Sequence, residues 1–137
     1  MADLTITAAN VASGTGSQTS DGTAGGTITQ GDAIYQDATD SNKWKRADAN
    51  LSAAAAAAIG IALNAAENGQ PVRIQVGGEM NPGATLAVGT VYVLSATAGK
   101  IAPSTDLASG WFTFIIGIGK TGSNMYLVMK TAGVAVP

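Results

Sequence analysis

Between Ile59 and Gly78 the chain alternates apolar and polar residues on both sides of a turn. Ile59, Ile61 and Leu63 recur at every second position, the period of a strand with one buried face. Glu67-Asn68-Gly69-Gln70-Pro71 is turn chemistry: Asn and Gly tolerate positive φ, and Pro opens the next strand. Val72, Ile74 and Val76 then alternate with Arg73 and Gln75, which predicts one apolar and one wetted face. Gly77-Gly78 ends the run. A β-hairpin is therefore the element around which the rest must be arranged.

The same plan occurs twice. Tyr35 and Tyr92, Lys43 and Lys100, and Gly60 and Gly117 are each separated by 57 residues, and the last pair sits in Ile59-Gly60-Ile61 and Ile116-Gly117-Ile118. Each copy reads as Gly, a strand with Tyr, a turn, a Lys-led short strand, a loop, Ile-Gly-Ile, a turn and a strand. The expectation is an all-β fold: one domain over residues 27–137, a small β-barrel or sandwich built from two similar hairpin units at about 31–78 and 89–130. The stretch Glu79–Gly83 reads as a turn. Ala53 to Ala58 favour a single short helical turn, too short to be stable alone.

Residues 1–26 read differently. Leu4 and Ile6 alternate with Asp3, Thr5 and Thr7, which suggests a short strand over residues 3–8. Residues 12–26 are Ala, Ser, Gly, Thr and Gln with one Asp21, and predict a flexible tether able to span roughly 20 Å. Leu4, Ile6 and Val11 would then be free to add a strand to a neighbour's open edge. On this reading, deleting residues 2–24 leaves the fold intact.

With 46% hydrophobic but only 5% aromatic residues, the core is built from Ala, Val and Ile and is thin. Packing completed between subunits is the expectation, as a symmetric homo-oligomer, with a trimer favoured over a dimer. Net charge is −2, and Lys43, Lys45 and Arg46 are the only local concentration of cations, which argues against binding nucleic acid or an anionic membrane. The N-terminal residues lack a basic and then apolar leader pattern, so synthesis in the cytoplasm is expected.

The chain has no His and no Cys, which excludes Ser-His-Asp and Cys-His arrangements and the commonest zinc ligand sets. Gly117-Ile118-Gly119-Lys120-Thr121-Gly122 matches G-x-G-x-x-G, but Met125-Tyr126-Leu127-Val128 just beyond it is strand-like rather than helical, so a hairpin turn is the better reading. Asp37, Asp40 and Asn42 lack calcium-loop spacing and read as a solvated turn. No carboxylate pair is placed for acid–base work. No catalytic, cofactor-binding or metal-binding residue is predicted. Trp111 reads as packing, whereas Trp44, between Lys43 and Lys45, is the better candidate for an exposed contact.

The segments Gly25-Gly26-Thr27-Ile28-Thr29-Gln30-Gly31-Asp32-Ala33-Ile34-Tyr35, Lys43-Trp44-Lys45, Ile59–Asn64 and Val91–Pro103 resemble, in their order, small structural proteins of tailed bacteriophages. The resemblance is to the capsid decoration, or cement, proteins and covers roughly residues 25–130. It implies a β-rich, non-enzymatic protein without cofactors on the outer capsid surface of a virion, made in the host bacterial cytoplasm. Its implied partners are the major capsid protein and other copies of itself, with no direct contact to nucleic acid or membrane. The candidate contact residues are Leu4, Ile6, Val11, Trp44, Lys45 and Arg46. The alternative is a phage tail or fibre β-module that binds a host surface or glycan.

Overall fold

A computed structural model describes residues 3–57 and 59–137. Eleven strands form two antiparallel sheets among these residues. They are β1 (Val11–Ser13), β2 (Gln18–Thr23), β3 (Ala33–Asp37), β4 (Lys43–Arg46), β5 (Ile59–Ala62), β6 (Pro71–Gly77), β7 (Glu79–Pro82), β8 (Val91–Leu94), β9 (Ile101–Pro103), β10 (Phe112–Gly119) and β11 (Met125–Ala135). One sheet has the order β2-β6-β5-β3-β4 and the other β1-β7-β11-β10-β8-β9. The fold is all-β and sandwich-like.

The two orders are the same order. In each unit the second and third strands form a hairpin, the fourth and fifth form another, and the first strand closes against the fifth: β2 on β6, and β7 on β11. Only β1 is extra, paired with β7 through Val11↔Pro82 and Ser13↔Met80. Backbone hydrogen bonds repeat too. Gly31 N–H donates to Ala62 O at 2.8 Å, and Gly89 N–H to Gly119 O at 2.7 Å. Ala62 N–H donates to Asp32 O, and Gly119 N–H to Thr90 O, both at 2.9 Å. Asp32 N–H bonds Thr29 O as Thr90 N–H bonds Ala87 O, and Ile28 N–H bonds Ala66 O as Leu86 N–H bonds Gly122 O. Residues 28–32 thus map onto 86–90 with a constant step of 58. The units run over residues 18–77 and 79–135, starting about ten residues earlier than their sequence similarity suggests.

Residues 3–26 are consequently not a separate arm. Gln18–Thr23 is the first strand of the first unit, and Val11 is 6% exposed in the main core. Residues 3–7 are irregular rather than a strand; the segment lies beside β9, where Leu4 N–H donates to Ile101 O at 2.8 Å. The polar composition of β2 misleads because an edge strand is held by its backbone ladder and leaves its side chains in water. Glu79–Pro82, expected as a turn, is β7, an inner strand paired with both β1 and β11 with Met80 and Pro82 buried.

Two cores follow from the stacking. Ala24, Ile28, Ile34, Trp44, Ala62, Ala66, Val72 and Ile74 fill one face of the first sheet. That sheet curls over them: Ala24 bridges Trp44, and Gly25 N–H donates to Trp44 O at 2.7 Å, tying the ends of β2 and β4 at one point. It does not become a closed barrel. The opposite face, with Ala33, Ile59 and Ile61, packs on Tyr92, Leu94, Ile101, Phe114, Ile116, Met125 and Leu127 of the second sheet. Tyr92 corresponds to Ile34 and Met125 to Ile74, residues that in the first unit face its own small core. The units therefore stack in one direction, the front of the second against the back of the first.

Ala54–Ala56 form a 3-10 turn within the Ala-rich stretch 53–58 expected to supply one short helical turn; Ala58 lies outside the described residues. Two further 3-10 turns occur at Ala8–Asn10 and Ser104–Asp106.

Candidate interaction surface

The residues singled out in the sequence are occupied within the fold. Trp44 is 7% exposed, not an outward-facing contact. Its indole lies against a glycine-rich stretch: a Cβ placed on Gly22 would fall 2.5 Å from the Trp44 ring, and one on Gly25 2.9 Å from Lys43 Cβ. Small residues in β2 and after it are what allow a large ring between two lysines to turn inward. Leu4 and Ile6 are half-buried against the main core, and Val11 is part of it.

Lys45 Nζ lies 2.9 Å from Asp37 Oδ2 and 3.0 Å from Asp40 Oδ2. Asp37 also accepts from the Thr39 hydroxyl at 2.6 Å and the Thr39 N–H at 2.9 Å. The Thr39 hydroxyl first, then Lys45, lower the Asp37 pKa from 3.8 to about 2. The hydrogen bonds to Asp37 and Asp40 raise that of Lys45. The turn of Asp37 and Asp40 thus binds an ammonium of its own chain. Among the described residues no group of three potential metal ligands is assembled.

Arg46 Nε donates to Asp32 Oδ2 at 2.8 Å and its NH2 group donates to Thr29 Oγ1 at 3.1 Å. Asp32, 3% exposed, also accepts from Thr29 N–H at 2.8 Å. This pair fastens the segment before β3 to β4. The glycine-rich motif at 117–122 is the end of β10 and the β10–β11 turn, in keeping with the strand-like residues beyond it.

The surface that stands open is the part of the back of the second sheet around Ile118 and Tyr126. Glu79, Tyr126, Ile118 and Val91 are successive cross-strand neighbours over β7, β11, β10 and β8. Ile118 is 39% and Tyr126 55% exposed. Ile115, Val128 and Val91 beside them are half-buried. The corresponding row of the first unit is Thr19, Gln75, Ile61 and Ala33. There Gln75, Ile61 and Ala33 are all at 0% exposure, because the second unit covers them. Neither Ile118 nor Tyr126 stands out in the sequence. Ile118 aligns with a core isoleucine, and its exposure follows from its unit being the last in the stack.

Two concave regions lie outside the Ile118 and Tyr126 row. A groove of about 480 Å³ runs between Trp44, Val76 and Gln36 on one side and Phe114, Met129 and Lys130 on the other. A more polar cleft of about 590 Å³ is lined by Trp111, Asp3, Asp106, Ser95, Thr97 and Thr105. Ser95 Oγ donates to Asp3 Oδ1 at 2.6 Å within it.

No helix among the described residues is long and apolar enough to cross a membrane. Compared with known proteins, the chain matches no family model and no curated protein.

Proposed function

We propose that this chain is a non-enzymatic structural protein that binds the outer surface of a phage capsid as an oligomer, most simply a trimer, and stabilises the shell. The observation that carries the reading is the pair Ile118 and Tyr126, beside half-buried Val91, left exposed by a fold that seals its counterpart. An exposed aromatic beside aliphatic residues on a rigid sheet is the composition of a contact surface. The order of motifs between residues 25 and 130 supplies the capsid as the partner. The protein is then made in the bacterial cytoplasm and carried on the virion.

Such a protein acts by linkage. It binds the assembled shell and not the separated subunits, so each occupied site stabilises the shell by RT ln(1 + [L]/Kd), about 2.7 kcal/mol at a hundredfold excess over Kd. An oligomer gripping several capsomers multiplies the effect through effective concentration. Heating DNA-filled particles with and without the protein tests this. Undecorated particles should release DNA at the lower temperature; equal release temperatures at full occupancy would end the cement reading.

A second reading, a tail or fibre module that binds host glycans, draws support from the cleft in which Trp111 stands with carboxylates and hydroxyls. Rings and polar hydrogen-bonding groups in one cleft suit a sugar. A glycan array, read with the parent chain and a Trp111→Ala variant, decides it: ring-dependent sugar binding would move this reading ahead.

A further inference from the structure

We infer that the back of the second unit, centred on Ile118 and Tyr126, is where the shell protein docks, and that it receives an apolar β-face there rather than another copy of this chain. The inference rests on the capsid reading above and names the surface that reading requires.

The first unit supplies the comparison. Its back face, Ala33, Ile59, Ile61 and the buried Gln75, is sealed by the open apolar front of the second sheet. On the second unit the equivalent row is open at Ile118 and Tyr126, while Val93 and Ala102 farther along the same face are covered. What fits such a surface is therefore already visible inside the molecule: a sheet face carrying Leu, Ile, Met and aromatic side chains, of the kind formed by Leu94, Ile101, Phe114 and Met125.

A second copy stacked in the same direction has no such face to offer. The front of its second unit is filled by its own first unit. The front of its first unit is closed over Ile28, Trp44 and Ile74, with polar β2 outermost and every β2 residue but Gly22 exposed. The first unit is capped and the second is not, so stacking in this direction ends with a different polypeptide. The rim carries charge to orient it: Lys120 Nζ and Glu79 Oε1 pair at 2.7 Å beside Tyr126, and Lys130, the cross-strand partner of Ile115, is exposed. One face per protomer, repeated by the symmetry of an oligomer, then yields several weak docking points on one shell.

The test uses the full chain and particles of the carrying phage stripped of this protein. Ile118→Thr and Tyr126→Ser, singly and together, replace exposed side chains and should leave the melting temperature within a few degrees of the parent. The double variant should bind stripped particles at least tenfold more weakly, with the light-scattering mass unchanged. Undiminished binding by the double variant overturns the inference and leaves the capsid reading standing. A parent oligomer that falls to monomers on double substitution overturns it in favour of back-to-back self-association. A parent chain that does not decorate stripped particles overturns the capsid reading, and the inference with it.

Discussion

Ile61 and Ile118 occupy the same place in two stacked units, and the first is at 0% exposure while the second is at 39%. Their neighbours diverge in the same way: Gln75, across from Ile61, is fully buried, and Tyr126, across from Ile118, is 55% exposed. The glutamine at the buried place has a structural task. Its Nε2 donates to Gly77 O at 3.0 Å and to Glu79 O at 2.8 Å, pinning the chain where it passes from one sheet to the other.

Gln75→Ala should therefore be costly although the residue looks solvent-facing in the sequence. Gly77 O loses this donor, Glu79 O keeps only the Gly14 N–H at 2.8 Å, and a cavity opens between the sheets. A loss of about 1–3 kcal/mol is expected from the lost hydrogen bonds and the cavity together. Denaturant unfolding measures it; a change below about 0.5 kcal/mol, the usual size for a surface site, would contradict the assigned role.

Trp44 gives a sharper case. Removing a buried ring costs about 3–5 kcal/mol, so Trp44→Ala should bring the domain close to unfolding. Gly22→Ala forces a Cβ to within 2.5 Å of the same ring and should cost about 1–3 kcal/mol by overpacking. Thermal melts followed by far-UV circular dichroism report both. If Trp44 served only as a contact, its removal would leave the melting temperature unchanged.

Deleting residues 3–24 should abolish cooperative unfolding. The deletion removes β1, β2, the buried Val11 and the Ala24 bridge to Trp44. A truncated chain that melts as the parent does would restore the picture of a separable arm.

Asp37 gives a pH signature. Its folded pKa lies below its ordinary value, chiefly through the Thr39 hydroxyl and then Lys45. The folded state therefore holds its proton less tightly than the unfolded chain does. The stabilisation is fully present above pH 3.8 and is lost as pH falls towards about 2. Asp37→Asn should melt at a temperature that varies less with pH across that window. The effect is small, because the carboxylate is only partly buried and salt screens it.

Local pattern alone determined the hairpin of β5 and β6, the strands β3, β4, β8, β9 and β10, and the existence of a repeat. These elements declare themselves because an apolar residue at every second position has only one economical conformation. The units' true beginnings were not legible. Gln18–Thr23 and Glu79–Pro82 are held by backbone pairing at the side of β6 and β11, and a ladder of N–H and C=O groups leaves no mark on side-chain composition. Nor was the fate of Trp44, whose flanking lysines point to water while glycines far from it in the chain, in β2 and just beyond, make room for the ring. Which of two matching faces is sealed was decided only by tertiary structure. Ile61 and Ile118 carry the same side chain in the same local setting, and their environments differ because a stack of two units moving in one direction must end with one face uncovered.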